Sequence, residues 1–220
     1  MKRKALVLGA TGLVGSELTK QLVESKAYEE VRILVRHPVS FTHPKLTQII
    51  VNYDQLISNE EAFQVNDVFC CLGTTIKKAG SQENFKKVDL EYPLAAAKLA
   101  VKHQVDNYLI ISATGANAKS RIFYSKVKGT IEEELKKLPL HALHIFRPSL
   151  LLGHRNEFRL AEKATEKLTQ ALPFLFIGPM KQYEPIHSAI VAEGMKNAAL
   201  SKMQGVHIYE SDAITKIRPA

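Results

Sequence analysis

The chain has 220 residues, enough to bury one substantial core, and one domain is the expected organisation. Apolar residues at 45% and charged residues at 24% exclude a disordered or fibrous protein. The formal charge of +8 comes from basic residues scattered over Lys2 to Lys4, Lys77-Lys78, Lys86-Lys87, Lys119 to Lys128, Lys136-Lys137 and Lys163 to Lys167. There is no long basic run with interleaved aromatics, so nucleic acid is not the expected partner.

Lys2-Arg3-Lys4 before Ala5-Leu6-Val7-Leu8 imitates a signal peptide, but the apolar part falls below the roughly 7 to 15 residues of such a segment, and glycines interrupt it. It reads instead as a first strand, Lys4 to Leu8, of a cytoplasmic protein, and no apolar run approaches the ~20 residues of a membrane span. Helical spacing follows in Leu13, Val14, Leu18, Leu22 and Val23, and Val31 to Val35 reads as the second strand. Further strands are expected at Thr47 to Val51, Val68 to Leu72, Tyr108 to Ser112, Ala142 to Phe146 and Val206 to Tyr209. Glu91 to His103 and Ser125 to Leu138 are the most regular helices between them. This alternation predicts an α/β fold, a doubly wound parallel sheet of Rossmann type, whose ligands bind beyond the carboxyl ends of the strands. After Gly153 the pattern loosens into a charged helix around Glu157 to Leu172. Residues 153–186 are expected to form a small excursion, a partial lid over the substrate space. Cys70 and Cys71, the two cysteines, are strand neighbours on opposite faces, which excludes an ordinary disulfide between them and leaves packing roles.

Gly9-Ala10-Thr11-Gly12-Leu13-Val14-Gly15 lies between the first strand and the first helix. Glycines there permit a tight turn, close approach of backbone to a pyrophosphate and close packing of helix on strand, while free N–H groups and the helix dipole stabilise negative charge. Arg36, at the end of the second strand, occupies the place where an NAD site commonly offers a carboxylate to the ribose. An arginine there can pair with a 2'-phosphate, which favours NADP(H); a solvated strand-end arginine is the alternative. Tyr124 has a lysine four residues on, Lys128, on the same helical face, and Ser112 ends the preceding strand. A phenol, ordinarily titrating near pH 10, needs a neighbouring cation to act as acid or base at neutral pH. Lys128 can supply that charge and hold a ribose, and Ser112 can hydrogen-bond the reacting oxygen; a surface Tyr/Lys pair is the alternative. His141 and His144 are read as packing or surface residues, with no metal expected. Asp54 and His187 are each open between a ligand contact and a cap.

The glycine loop, Ser112, Tyr124-x-x-x-Lys128 and Arg147-Pro148 after the sixth strand resemble the short-chain dehydrogenase/reductase superfamily. Cys71-Leu72-Gly73-Thr74-Thr75, Phe85-Lys86-Lys87-Val88-Asp89 and Phe146-Arg147-Pro148-Ser149-Leu150 are similar to its atypical subgroup, that of the Tat-interacting-protein oxidoreductase and its bacterial relatives. The resemblance runs from Lys4 to about Ile217. It implies seven strands in the order 3-2-1-4-5-6-7 and an NADP(H) site that includes Leu72-Gly73 over the ribose and Arg147-Pro148. It implies reduction of a small carbonyl, or oxidation of an alcohol, with Ser112, Tyr124 and Lys128 catalytic. It also admits, as the alternative, an NADPH-sensing module with a protein partner and no turnover, and an oligomer. Where many superfamily members carry an asparagine for a proton relay, this chain has Val88-Asp89-Leu90.

Overall fold

The computed structural model describes residues 2–153 and 183–218. Its elements in chain order begin with β1 (Arg3–Leu8), α1 (Leu13–Glu24), β2 (Tyr28–Val35), β3 (Leu46–Ile50), a 3₁₀ helix (Tyr53–Phe63) and β4 (Asp67–Cys70). Next come α2 (Ile76–Ala79), α3 (Gln82–Lys86), a π-helical turn (Lys87–Glu91), α4 (Tyr92–Lys102), β5 (Asn107–Ile111) and α5 (Phe123–Lys136). The chain continues through β6 (Ala142–Arg147), β7 (Leu151–Leu152), β8 (Ile186–His187), α6 (Ser188–Leu200), β9 (Gly205–Glu210) and α7 (Ser211–Ile214). The main sheet is seven-stranded and parallel in the order β3-β2-β1-β4-β5-β6-β9, the order expected, with β9 as its seventh strand. β7 and β8 form a separate parallel pair.

Central strands covered on both sides read as near-continuous apolar runs, because alternate side chains enter two different cores. Val7, Ile33, Phe69, Leu109 and Phe146 pack under α1 and α6, against Leu18, Leu22, Val191 and Met195. Leu6, Leu34, Val68, Cys70, Tyr108, Ile110 and Ile145 face the 3₁₀ helix, α4 and α5, against Phe63, Ala96, Ala100, Ile131 and Leu135. Cys70 and Cys71 accordingly pack into opposite cores, and burial pushes both thiols up. The expected lid lies, from 154 to 182, outside the described residues.

A polar network ties the strands together on the amino-terminal side of the sheet. Asp67 is fully buried and accepts hydrogen bonds from Arg3 Nε and Nη2 (2.7 Å each), Tyr28 OH (2.8 Å) and Asn107 Nδ2 (2.6 Å). Asn107 Oδ1 in turn lies 3.3 Å from His144 Nε2, and His144 Nδ1 lies 3.0 Å from Tyr209 OH. The His144 ring stacks on His207, with centroids 5.2 Å apart. Both ring nitrogens of His144 therefore have protein partners, while His141 is exposed.

Burial, and then the neighbouring His207, push His144 down to about 4. The folded protein thus keeps this imidazole neutral at pH values where an unfolded histidine, near 6.5, has taken up a proton. Stability from this group is complete above about pH 6.5 and is lost as pH falls toward 4, by about 3 kcal/mol over the whole window. Urea unfolding at pH 7 and at pH 5 checks this. The loss between those two values should be about 2 kcal/mol smaller in His144→Asn than in the unmodified protein, and equal losses would mean that His144 does not drive it.

Candidate functional site

Because the strands are parallel, their carboxyl ends lie along one edge, and the chain places there the glycine loop after β1, Arg36 after β2, Leu72-Gly73 after β4, Ser112 after β5 and Arg147-Pro148 at the end of β6. Tyr124 and Lys128 lie in the first turns of α5, which follows β5.

Gly9 has φ +79°, and a Cβ on it would meet the Cys71 carbonyl oxygen at 2.5 Å. A Cβ on Gly15 would meet the Gly9 carbonyl oxygen at 2.2 Å. Side chains at these two positions would fill the turn, so the backbone of β1, the helix and the β4 loop can converge only with glycine at both. Gly12 N–H donates to Gly9 C=O at 2.9 Å, and Thr11 is exposed at the tip of the loop. Gly12 also occupies the cap position of α1 and provides no side-chain cap, which leaves the first turn, beginning with Leu13 and Val14, suited to receive an anion. These features suit a dinucleotide pyrophosphate.

Arg36 is exposed and has no hydrogen bond or ion pair among the described residues. Its charge acts on Tyr53 and Tyr92, whose rings stack with centroids 5.5 Å apart. Asp54 accepts a hydrogen bond from Tyr92 OH at 2.9 Å and lies 3.4 Å from Lys87 Nζ. The side chain that caps the 3₁₀ helix is Asn52, not Asp54. His187 is exposed at the cap position of α6, without a side-chain cap bond.

Tyr124 is 37% exposed, packs its ring against Phe85 at 5.8 Å between centroids, and has no hydrogen-bond partner for its hydroxyl among the described residues. One turn on, Lys128 is buried, its ammonium 2.7 Å from Asp89 Oδ1 and 3.5 Å from the Ile111 carbonyl. Burial alone would lower the pKa of this lysine, but Asp89 and then Tyr124 outweigh it, and the net direction is upward. Asp89 is buried too, and its Oδ2 accepts the Thr74 N–H at 2.9 Å, which ties down the loop that carries Leu72 and Gly73.

Beside Asp89 the site holds another buried carboxylate, Glu132, which the sequence reading did not single out. Ser112 Oγ donates to Glu132 Oε1 at 2.5 Å, and Arg147 grips both oxygens of Glu132, Nε to Oε1 at 3.0 Å and Nη2 to Oε2 at 2.5 Å. Arg147 Nη1 continues to Glu210 at 2.8 Å. The hydrogen bond to Glu132 first, and then Glu210, raise the guanidinium further above its ordinary value. The Arg147 side chain is thus engaged with protein carboxylates. The Arg147 and Pro148 carbonyls hold the loop after Ser112, accepting from Thr114 Oγ1 at 3.0 Å and Thr114 N–H at 3.1 Å. The signal for Glu132 was present, since Tyr124, Lys128 and Glu132 repeat at four-residue spacing along one helical face. A charged residue in third place at that spacing reads as solvated surface until the fold turns it inward.

The sequence model of an NAD(P)H-binding family matches residues 9–166, and the chain belongs to that family. Among curated relatives, Protein HTATIP2 of Rattus norvegicus is 34% identical over 78% of this chain and 72% of that protein. Protein FMP52-1, mitochondrial, of Scheffersomyces stipitis is 33% identical over 97% of each chain. These relatives bear out the resemblance to atypical short-chain dehydrogenases. The solved structure of the Bordetella bronchiseptica enzyme WbmH in complex with NAD+ has a TM-score of 0.74, at 15% identity, over 98% of this chain and 79% of that one. UDP-glucose 4-epimerase of Thermotoga maritima, with UDP-glucose, has a TM-score of 0.69, at 14% identity, over 97% and 80%. At such identities the likeness is one of fold. The chain therefore has an NAD(P)-binding, oxidoreductase-like Rossmann fold. The FMP52 relatives in two yeasts, S. stipitis and Debaryomyces hansenii, are named mitochondrial, which overturns the expectation of a cytoplasmic location. A Rossmann core packs in the same way in any aqueous compartment, so composition carried no information on that point. No helix among the described residues is long and apolar enough to cross a membrane.

Proposed function

We propose that this protein is an NADP(H)-dependent oxidoreductase of the short-chain dehydrogenase type that acts on a small carbonyl or alcohol, with Tyr124 as acid/base. The observation that carries the reading is the half-exposed Tyr124 one helical turn from a buried Lys128, on the edge of the sheet that also holds the glycine loop. When bound, the nicotinamide supplies or accepts hydride. Tyr124 gives the substrate oxygen its proton or takes it back, Lys128 favours the phenolate and holds the ribose, and Ser112 lines the reacting oxygen. Leu72-Gly73 back the ribose, while Gly9 to Gly15 accommodate the pyrophosphate. A second reading is an NADPH-sensing module without turnover. It is favoured by the Ser112 hydroxyl, whose proton is directed to Glu132 and away from any substrate.

Arg36 supports the choice of nucleotide, since its side chain is exposed at the end of the second strand and has no hydrogen bond or ion pair among the described residues. A lost charge-assisted pair costs on the order of 1.5 to 3 kcal/mol, roughly tenfold to over a hundredfold in affinity. Arg36→Ala should therefore weaken NADPH by that factor and leave NADH almost unchanged, as read by fluorescence titration. Equal affinity of the unmodified protein for the two nucleotides refutes the NADP(H) assignment. An NADPH-oxidation screen over aldehydes, ketones and quinones then separates enzyme from sensor.

A further inference from the structure

The segment between α3 and α4 is a π-helical turn, and at its centre lies Asp89, with 1% side-chain exposure, against Lys128, with 6%. A helix widened by one residue at this point is a local departure that recurs at functional sites. Here its product is a carboxylate aimed at the lysine of the proposed acid/base pair. We propose that Asp89 is a positioning residue for that pair: it holds Lys128 as an ammonium at the site and fixes where the ammonium points. The inference rests on the proposed roles of Tyr124 and Lys128, and its test requires no turnover.

Three features carry it. The ion pair is direct, at 2.7 Å, with no space for an intervening water. The second Asp89 oxygen is anchored on the Thr74 N–H, so the carboxylate is fixed by a different part of the chain from the lysine it serves. The groups that bear on Lys128 are Asp89 from the π turn, Tyr124 from its own helix and Cys70 from β4. Burial raises the Cys70 thiol, so Asp89 supplies the compensating negative charge at neutral pH. Without it, burial works unopposed toward a neutral amine.

The experiment labels lysine Cε with ¹³C, assigns Lys128 by its disappearance in Lys128→Met, and follows its NMR shift with pH. In Asp89→Asn, which keeps an oxygen for Thr74, the Lys128 midpoint should fall by at least about one pH unit relative to the unmodified protein. Asp89→Ser removes the same charge with a smaller side chain and should show the same fall, so the comparison survives misfolding of either variant. An unchanged midpoint in a folded variant overturns the proposal. The unmodified protein provides a reading that needs no variant, because a Lys128 that titrates below the ordinary lysine range overturns it too. A protein that binds NADPH but reduces nothing would sink the enzymatic reading and leave this result standing.

Discussion

Tyr124→Phe should lower kcat/KM by roughly 10²- to 10⁴-fold, the loss expected when a general acid is removed. The measurement is NADPH oxidation with any carbonyl compound that the unmodified protein reduces. Phenylalanine keeps the ring that packs on Phe85, so folding stability and the nucleotide Kd should hardly change. This split distinguishes loss of chemistry from loss of structure. Lys128→Ala should behave differently and weaken turnover and nucleotide affinity together, while leaving Asp89 buried without its cation. Full activity in the phenylalanine variant removes Tyr124 from the mechanism. Tight NADPH binding with no turnover across the panel moves the assignment to the sensor.

The largest effect on stability is expected at Glu132. Its carboxylate is nearly inaccessible and links Ser112 to Arg147, so truncation leaves the half-buried guanidinium with Glu210 alone and a buried hydroxyl without its acceptor. Breaking a buried pair by removing one partner typically costs about 3 to 5 kcal/mol, a large part of the roughly 5 to 15 kcal/mol that holds a domain folded. Glu132→Ala should therefore lose about that much in urea unfolding at pH 7. Glu132→Gln, which keeps an acceptor for Ser112, should lose only about 1 to 3 kcal/mol. A loss below about 1 kcal/mol in the alanine variant would mean that Arg147 and Ser112 find solvent instead, as exposed groups do.

The sheet was legible because buried parallel strands must be apolar on both faces, as Ala5 to Leu8 and Tyr108 to Ile110 are. The glycine loop was legible because Gly9 and Gly15 answer a steric demand that few other turns make. Element ends shifted by a few residues: β2 begins at Tyr28 and α5 at Phe123, where tertiary contacts extend what periodicity alone suggests. Asp89 drew notice only as a departure from a family pattern, because the turn that aims it at Lys128 has no signature in hydrophobic spacing. Glu132 and the Asp67 network escaped notice for a related reason. A charged residue declares its partner only through contacts distant in sequence, such as Arg3 with Asp67 and Ser112 with Glu132.

The π turn also has a bearing on how this site tolerates length change. In a regular helix, removal of one residue rotates everything beyond it by about 100° and carries a buried face into solvent. The turn at Lys87–Glu91 already holds the surplus residue, so a single deletion there should relax the chain toward ordinary helix, with the buried Phe85 on one side and Ala96 on the other keeping their places. What such a deletion takes away is the aim of Asp89. A one-residue deletion in this turn is thus expected to remove the carboxylate from beside Lys128 while the helices on either side keep their packing.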